Sequence, residues 1–365
     1  MSDQLTEVYA SIDALVDYAL DHLDLDPRNA DWTRNQIFAL FHLDSYPGPK
    51  TTTSAASVSD AVQDIVGSRS QAPYGEKTPD PLLAAFRAAA TTAGLFKPEE
   101  GPAYADTIMG ILSANPADLD DRFLLVEHRD GGMAAMQWFY DYCVANNYVK
   151  RAQLDRNPRF DSHGLTVTIN LAKPEFKNMK KAAAGNAVAG GYPKCTICHE
   201  NEGFAGRDKR TLRTLPVTLG GESWFWQFSP YGYFDQHGIC VNTDHTPMHV
   251  DRDTFGHLLD FVDRFPGYFL GCNAALPRIG GSVLAHDHYQ GGGELLPMHK
   301  AAAWATMTLP EYPDATIEIL DWPGTAVRVV AKSRDTIIEV CDKIREGWIN
   351  YSNPELDIIC EGEDG

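Results

Sequence analysis

Residues 278–293 read RIGGSVLAHDHYQGGG, with His286, His288 and Gln290 at alternate positions. If residues 283–290 are extended, the two-residue period of a strand places these three side chains on one face. Three polar side chains on one face can converge on a single ligand. The segment therefore predicts a strand that presents a polar site.

Glycines lie on both sides of this predicted strand. Gly280 and Gly281 precede it, and a glycine without a Cβ atom lets backbone N–H groups approach a phosphate closely. Ser282 adds a hydroxyl donor, and glycines 291–293 let the chain turn away afterwards. This arrangement indicates that the ligand carries a phosphate.

His288 lies at the centre of the segment and is our candidate nucleophile. An imidazole is largely neutral near pH 7, and its attack on phosphorus yields a phosphoramidate that a second acceptor can open. Two histidines on one strand face can also be structural residues or metal ligands. The glycine-serine stretch, Gln290 and the glycine run favour the catalytic interpretation.

Composition excludes several classes of function. The chain has 365 residues, 44% of them hydrophobic, and a formal net charge of −19, which argues against binding to nucleic acid or to anionic lipid. The sequence contains no run of about 18 apolar residues and no apparent signal peptide at its start, so we expect a cytoplasmic protein without a membrane span. Seven cysteines spread over the chain make a disulfide framework unlikely to be the basis of the fold.

The hydrophobic pattern changes near residue 160. Apolar residues recur at helical spacing before this point, whereas residues 165–170 alternate β-branched and polar side chains. We therefore predict an α+β fold, with a helical N-terminal region at 1–155 and a catalytic domain with a mixed or antiparallel sheet and flanking helices at 156–365. Further strands are expected at 223–228, 231–242, 269–274, 315–320 and 326–330, and helices at 253–265 and 333–351.

Cys195 and Cys198 form the only closely spaced cysteine pair. Their C-x-x-C spacing fits a tetrahedral zinc site, which needs two further ligands. The alternatives are a metal-free pair of reduced thiols and a redox pair, although no thioredoxin-like sequence surrounds them.

The segment that contains His288 resembles the active-site strand of the galactose-1-phosphate uridylyltransferases. These enzymes belong to the histidine-triad superfamily, with its H-x-H-x-Q or H-x-H-x-H signatures. The chain is most similar to the second, mainly Gram-positive type, and the helical N-terminal region also resembles it, so the similarity covers nearly the whole chain. The segments that carry it are residues 168–175, 192–203 and 226–231, and Asn273 with residues 277–292.

The resemblance implies a ping-pong reaction. His288 attacks the α-phosphorus of UDP-glucose, glucose 1-phosphate leaves, and UMP stays on the histidine until galactose 1-phosphate accepts it. Gln290 then hydrogen-bonds a non-bridging oxygen of the phosphoryl group. A carboxamide cannot donate a proton as a general acid, and this point favours a transferase over a hydrolase.

The resemblance also implies the remaining contacts. Asn273, Gly281 and Ser282 contact the phosphate and ribose, and Asn201 lies near the uridine. Gln227, with Trp226 and Phe228, lines the uracil pocket, although such an aromatic run is often plain core. The expected partners are UDP-glucose, galactose 1-phosphate and glucose 1-phosphate, with a homodimer as the candidate assembly.

The metal ligands follow from the same resemblance. In uridylyltransferases of the other type, a C-x-x-C pair, a later histidine and the first histidine of H-x-H-x-Q bind a structural zinc ion. The same order here selects Cys195, Cys198, His245 and His286, with His199 and His237 ranked lower. A metal on His286 would hold the strand beside His288, and no organic cofactor is expected.

Family members continue beyond the point at which this sequence ends. Residues 357–365 resemble half of a hairpin, so the sequence suggests a fragment, a truncated chain or a degenerate gene product. Two alternatives therefore stay open. One is a histidine-triad nucleotide hydrolase or phosphorylase, and the other is an inactive zinc-stabilised module.

Overall fold

The computed structural model describes residues 3–48, 78–171, 191–276 and 283–360. Gly280, Gly281 and Ser282, which the sequence places near a phosphate, lie outside these residues. Residues 51–78 are rich in Ser, Ala, Thr and Gly, a composition that predicts a long surface loop, and apart from the last of them they also lie outside the described residues.

Seven helices precede the first strand in the described part of the chain. They are α1 Asp3–His22, α2 Ala30–Leu40, α3 Asp80–Thr92, α4 Gly101–Leu112, α5 Pro116–Asp130, α6 Gly132–Ala145 and α7 Arg151–Leu154. Helix α5 shows why these segments are helical, since Asn115 accepts a hydrogen bond from the Asp118 N–H and Pro116 occupies the first turn. The helix ends at Gly131, whose φ of 89° suits a residue without a Cβ atom.

Ten strands and two further helices follow within residues 159–171, 191–276 and 283–360. The strands are β1 Arg159–Ser162, β2 Leu165–Thr168, β3 Leu215–Leu219, β4 Glu222–Phe228, β5 Gly238–Asn242, β6 Phe269–Gly271, β7 His288–Gly292, β8 Ala303–Leu309, β9 Tyr312–Leu320 and β10 Val327–Val330, and the helices are α8 Arg252–Arg264 and α9 Arg334–Ile349. This composition confirms the predicted α+β class.

The largest sheet has five antiparallel strands in the order β3-β4-β5-β7-β6. Its central register pairs Trp226 with Cys240 and Cys240 with Tyr289. These three side chains are buried in a hydrophobic cluster that also contains residues of α1, α3, α4, α5, α6 and α8. One continuous core thus joins the helices to this sheet, and the division into two domains at residue 155 stays a prediction.

A smaller sheet of β8, β9 and β10 packs against α9. Ala315 and Ile317 of β9 meet Val340 of α9 in a separate small core. The strands predicted at 315–320 and 326–330 are present, and the helix predicted at 333–351 is α9. No helix in the described residues is both long and apolar enough to span a membrane.

Three strand predictions are wrong in their extent. The strand expected at 269–274 covers only Phe269–Gly271. Residues 231–237 form a loop rather than the start of a strand, because Phe228 pairs with Gly238 and the chain must reverse direction between them. Residues 283–287 are not extended either. The N–H of His286 donates to the Val283 carbonyl at 3.0 Å in a turn, since the neighbouring strand β5 ends at Asn242 and offers no further ladder.

Helix α5 carries a carboxylate that we expect to destabilise the protein above neutral pH. Burial, with smaller contributions from Glu202 and Asp121, raises the pKa of Asp120 to about 6. A raised folded-state pKa means that protonation favours the folded chain, and this stability is lost as the pH rises through about 6.

Asp120→Asn should therefore raise the melting temperature at pH 8 by about 2 °C, an effect of about 1 kcal/mol after allowance for solvent screening at this half-buried position. The gain should shrink towards pH 5. Differential scanning calorimetry at both pH values measures it. The control is Glu99→Gln, because Glu99 is exposed and is not among the groups that raise the pKa of Asp120. An equal gain at both pH values would show that ionisation is not the cause.

Candidate functional site

The face of the five-stranded sheet that points away from the helical core carries the candidate site. Gln227 pairs with Ile239 and Ile239 with Gln290, so these three positions share a face. Phe225, Val241 and His288 form the adjacent row of the same face. We call this surface the site face.

His288 opens strand β7 and is 4% exposed. Its Nδ1 lies 2.8 Å from the carbonyl oxygen of His286. A carbonyl can only accept, so Nδ1 carries the proton and Nε2 keeps its lone pair. Burial also lowers the pKa of His288, which favours the neutral ring. The structure thus holds one imidazole in the tautomer that a nucleophile requires.

Gln290 lies two residues along β7 and is partly buried on the same face. His286 does not share this strand, because it belongs to the turn that precedes β7. The prediction of three polar residues on one strand therefore applies to His288 and Gln290 alone. The backbone carbonyl of His286 instead accepts the hydrogen bond from His288, and its ring belongs to a group of cysteines and histidines.

Cys195, Cys198, His245 and His286 converge on one point. Their donor atoms all lie within 4.8 Å of one another, and the described residues contain no other such cluster of three or more. The two Sγ atoms are 3.4 Å apart, Cys195 Sγ is 3.3 Å from His286 Nδ1, and Cys198 Sγ is 3.2 Å from His245 Nδ1. A zinc tetrahedron separates neighbouring ligand atoms by roughly 3.3–3.8 Å, so these side chains fit one metal ion.

The surroundings of the cluster also suit a metal. The Nε2 of His286 donates to the Asn242 carbonyl at 2.8 Å, which leaves Nδ1 free to bind the ion. Burial raises the pKa of Cys198 to about 12, so this thiol needs a nearby cation to ionise at neutral pH. The lower-ranked candidates His199 and His237 are not members of the cluster.

Asn201 contacts the backbone of residues 195–198, which we call the cysteine loop. Its fully buried Nδ2 donates to the carbonyls of Cys195 and Cys198 at 2.8 and 2.9 Å. Its Oδ1 is buried without a hydrogen-bond partner in the described part of the chain. The contact with uridine predicted for Asn201 stays a prediction, while its contact with the metal loop is evident.

Gln227 lies on the site face and is 2% exposed. Its Nε2 is 3.4 Å from the Ile197 carbonyl of the cysteine loop, and its Oε1 finds no partner among the residues described. Trp226 and Phe228 point to the opposite face, where Trp226 packs against Phe261 of α8. The prediction that these two aromatic residues line the uracil pocket is wrong, because alternate strand positions face opposite sides.

Asn273 is partly exposed and lies two residues beyond the end of β6. The last residue of β6, Gly271, pairs with Gln290, which places this chain segment beside strand β7. Gly281 and Ser282 belong to the part of the chain that is not described.

The sequence analysis considers His237 only as a lower-ranked metal ligand, whereas the structure places it on the site face beside Gln290. His237 Nε2 lies 3.4 Å from Gln290 Oε1. Only the pairing of β5 with β7 brings these two residues together, and no local motif around His237 indicates it.

Comparisons with known proteins agree with this geometry. Residues 66–247 match the family model described as galactose-1-phosphate uridyl transferase, N-terminal domain. The chain is 91% identical over 365 residues to a galactose-1-phosphate uridylyltransferase of Bifidobacterium longum subsp. longum, covering all of this chain and 71% of that protein. The enzyme of the same name from Streptococcus mutans is 32% identical, and the match covers 96% of this chain and 68% of that enzyme. The Fusobacterium nucleatum enzyme is 31% identical, and the match covers 97% of this chain and 67% of that enzyme. No solved structure gave a significant match.

Proposed function

The chain belongs to the galactose-1-phosphate uridylyltransferase family and is a nucleotidyltransferase, and from this premise we propose that it moves UMP from UDP-glucose to galactose 1-phosphate through a covalent adduct on His288. The observation that supports this most is the state of the His288 ring. Its Nδ1 proton is held by the His286 carbonyl while Nε2 keeps its lone pair, on the same face as Gln290.

In the first half of the proposed reaction, His288 Nε2 forms a bond to the α-phosphorus of UDP-glucose. The bond from that phosphorus to the bridging oxygen breaks, and glucose 1-phosphate leaves as an anion that needs no added proton. In the second half, a phosphate oxygen of galactose 1-phosphate attacks the same phosphorus and the N–P bond breaks. A neutral imidazole avoids the repulsion between two phosphate anions that direct transfer would meet.

The register of the sheet suggests how the nucleotide lies. The row Gln227, Ile239 and Gln290 crosses three neighbouring strands, which are about 4.8 Å apart. We place the uracil near Gln227 and the Ile197 loop, the ribose over β5, and the α-phosphate at His288 and Gln290. The buried Oε1 of Gln227, which lacks a protein partner in the described residues, would then accept from the N–H of uracil.

Gln290 supports a transferase rather than a hydrolase. Its amide can donate to a non-bridging phosphoryl oxygen but cannot deliver a proton to a leaving group. A histidine at this position could assist water, and this chain has none there. The hydrolase alternative is therefore not favoured, and the similarity to uridylyltransferases over the whole chain also disfavours the phosphorylase.

We propose that the cysteine-histidine cluster binds zinc, because two cysteines and two histidines whose donor atoms lie this close together are the ligand set typical of structural zinc sites. When bound, the ion would supply structural rigidity and no reactive group. The chain's own His286 would link the cluster to His288 through its carbonyl. The cytoplasmic location, the homodimer and the two-domain division stay predictions.

The proposed function predicts a specific covalent product. Incubation with UDP-glucose alone should release about one equivalent of glucose 1-phosphate and increase the intact mass of the protein by one uridylyl group. Addition of galactose 1-phosphate should remove this mass and form UDP-galactose. Continuous release of UMP into solution without an acceptor would instead indicate a hydrolase, and the absence of any mass gain would argue against the covalent mechanism.

A further inference from the structure

His237 lies where strand β5 begins, directly beside the catalytic strand. It precedes Gly238, the first residue of β5, and its carbonyl accepts a hydrogen bond from the Ser229 N–H at 2.8 Å, which extends the ladder by one pair. Positions 237, 239 and 241 alternate onto the site face. The His237 ring therefore shares a face with His288 and Gln290.

The contact between His237 and Gln290 has a defined polarity. His237 Nε2 lies 3.4 Å from Gln290 Oε1, and an amide oxygen can only accept. The ring must therefore donate its Nε2–H. A separation of 3.4 Å is long for a hydrogen bond, but such bonds in enzyme sites often shorten when the substrate binds.

The two ends of the Gln290 amide have opposite character. Its NH₂ group can donate to a phosphoryl oxygen, whereas its oxygen would repel that same oxygen. A donor on Oε1 keeps the oxygen away from the phosphate and directs the NH₂ group towards it. Without that donor, the amide can rotate by half a turn and lose the favourable contact.

The surroundings of His237 restrict its ring. The rings of Phe234 and Tyr233 lie 4.3 and 4.8 Å from it, and only 8% of His237 is exposed. Gly232 packs against it so closely that an added Cβ would come within 2.7 Å of the His237 Cβ. The ring is thus held in place by packing that does not involve the catalytic strand.

We infer that His237 is a positioning residue for UMP transfer, which holds Gln290 Oε1 so that the Gln290 NH₂ group faces the phosphoryl oxygen. This inference rests on the proposed function, because it assigns a purpose to Gln290 that the reaction requires. His237 itself touches neither the phosphorus nor the leaving group in this arrangement.

The test compares His237→Met with His237→Gln. The two side chains have nearly equal size, but only glutamine can donate a hydrogen bond. A cavity of about 270 Å³ lined by His237, Tyr233 and Ser229 leaves room for either side chain. The measured quantities are the single-turnover rate of uridylylation by UDP-glucose and the KM for UDP-glucose.

We expect His237→Met to slow uridylylation about tenfold, the size expected for loss of one hydrogen bond, with KM changed less than twofold. His237→Gln should recover most of the rate. The same pair in the Gln290→Ala background should show equal rates, because the group that His237 positions is gone. The exposed His128→Phe, which lies outside the site, serves as the control for general effects.

The outcomes separate the inference from the function. If Gln290→Ala slows the enzyme but the Met and Gln variants of His237 react at equal rates, His237 does not position Gln290. Equal additional losses with and without Gln290 would show that His237 acts only on the fold. If Gln290→Ala itself leaves the rate unchanged, the role that we propose for Gln290 in the reaction fails, and the inference fails with it.

Discussion

His288→Gly should lose the uridylyl adduct completely and slow UMP transfer by roughly 10⁴-fold or more, as expected when a covalent nucleophile is removed. The reason is the geometry of the ring. Nδ1 is engaged with the His286 carbonyl at 2.8 Å, so the lone pair on Nε2 is the one that faces the substrate. Glycine leaves no group at this position that can attack phosphorus.

Binding of UDP-glucose should largely survive this change. Gln227, Gln290 and the cysteine loop stay in place, and the uracil and ribose keep the contacts that we propose for them. Intact-mass spectrometry after incubation with UDP-glucose measures the adduct, and isothermal titration measures binding. The effect should appear in kcat rather than in the dissociation constant.

A matched control is His163→Gly. His163 is exposed in the turn between β1 and β2, and its φ of 52° suits glycine, so the fold should tolerate this change. It should leave both the adduct and the transfer rate unchanged. If His288→Gly still gains the mass of one uridylyl group, another residue is the nucleophile and the proposed mechanism is wrong.

Loss of metal binding should strongly lower the thermal stability of the protein. Cys198→Ser deletes a donor atom that lies 3.2 Å from His245 Nδ1 and 3.4 Å from Cys195 Sγ. We expect the metal content to fall well below one ion per chain. The melting temperature should drop by roughly 10 °C or more, since a structural zinc site contributes several kcal/mol to folding.

UMP transfer should also slow, because His286 belongs to the metal cluster and also orients the His288 ring. Its Nδ1 faces the cysteines, its Nε2 donates to Asn242, and its carbonyl holds the Nδ1 proton of His288. Loss of the ion frees the His286 ring, so the His286 carbonyl becomes more mobile and orients the His288 ring less well. A strong chelator should reproduce both effects in the unchanged protein.

The control for this experiment is Cys360→Ser, because Cys360 is an exposed free cysteine outside the cluster. It should bind as much metal as the unchanged chain and melt at the same temperature. Elemental analysis measures the metal content, and thermal unfolding measures the melting temperature. A protein that contains no metal when purified without chelators, and that melts at the same temperature with added zinc, would support the metal-free pair of thiols.

Local chemistry explains which features were predictable. The C-x-x-C spacing, the two histidines and the glutamine each have a pattern within a few residues, and the pattern restricts the chemistry of those residue types. The strand at Glu222–Phe228 was predictable because its aromatic residues favour strands. The α8 helix was predictable from its apolar periodicity between Asp251, which caps it, and Phe265.

The errors also have a common physical cause. The alternate positions of His286, His288 and Gln290 suit one face of a strand over residues 283–290, but a strand continues only while a neighbour offers N–H and C=O groups. Strand β5 ends at Asn242, so the chain before His288 turns and moves His286 off the strand. Likewise, Trp226 and Gln227 are adjacent in sequence, and only the sheet and its helical cover decide which of them faces the ligand.

The sequence by itself determined the α+β class, the nucleophile candidate at His288 and the Cys195–Cys198 pair as a candidate metal site, because these follow from side-chain chemistry and short-range spacing. The two histidine ligands of that site, His245 and His286, were selected through the family resemblance. Only the tertiary structure decided that His286, whose ring belongs to the metal cluster, also holds the His288 ring through its carbonyl, that Gln227 rather than Trp226 lies on the site face, and that His237 meets Gln290. These contacts join residues up to 91 positions apart. They depend on strand register and packing, which no local pattern specifies.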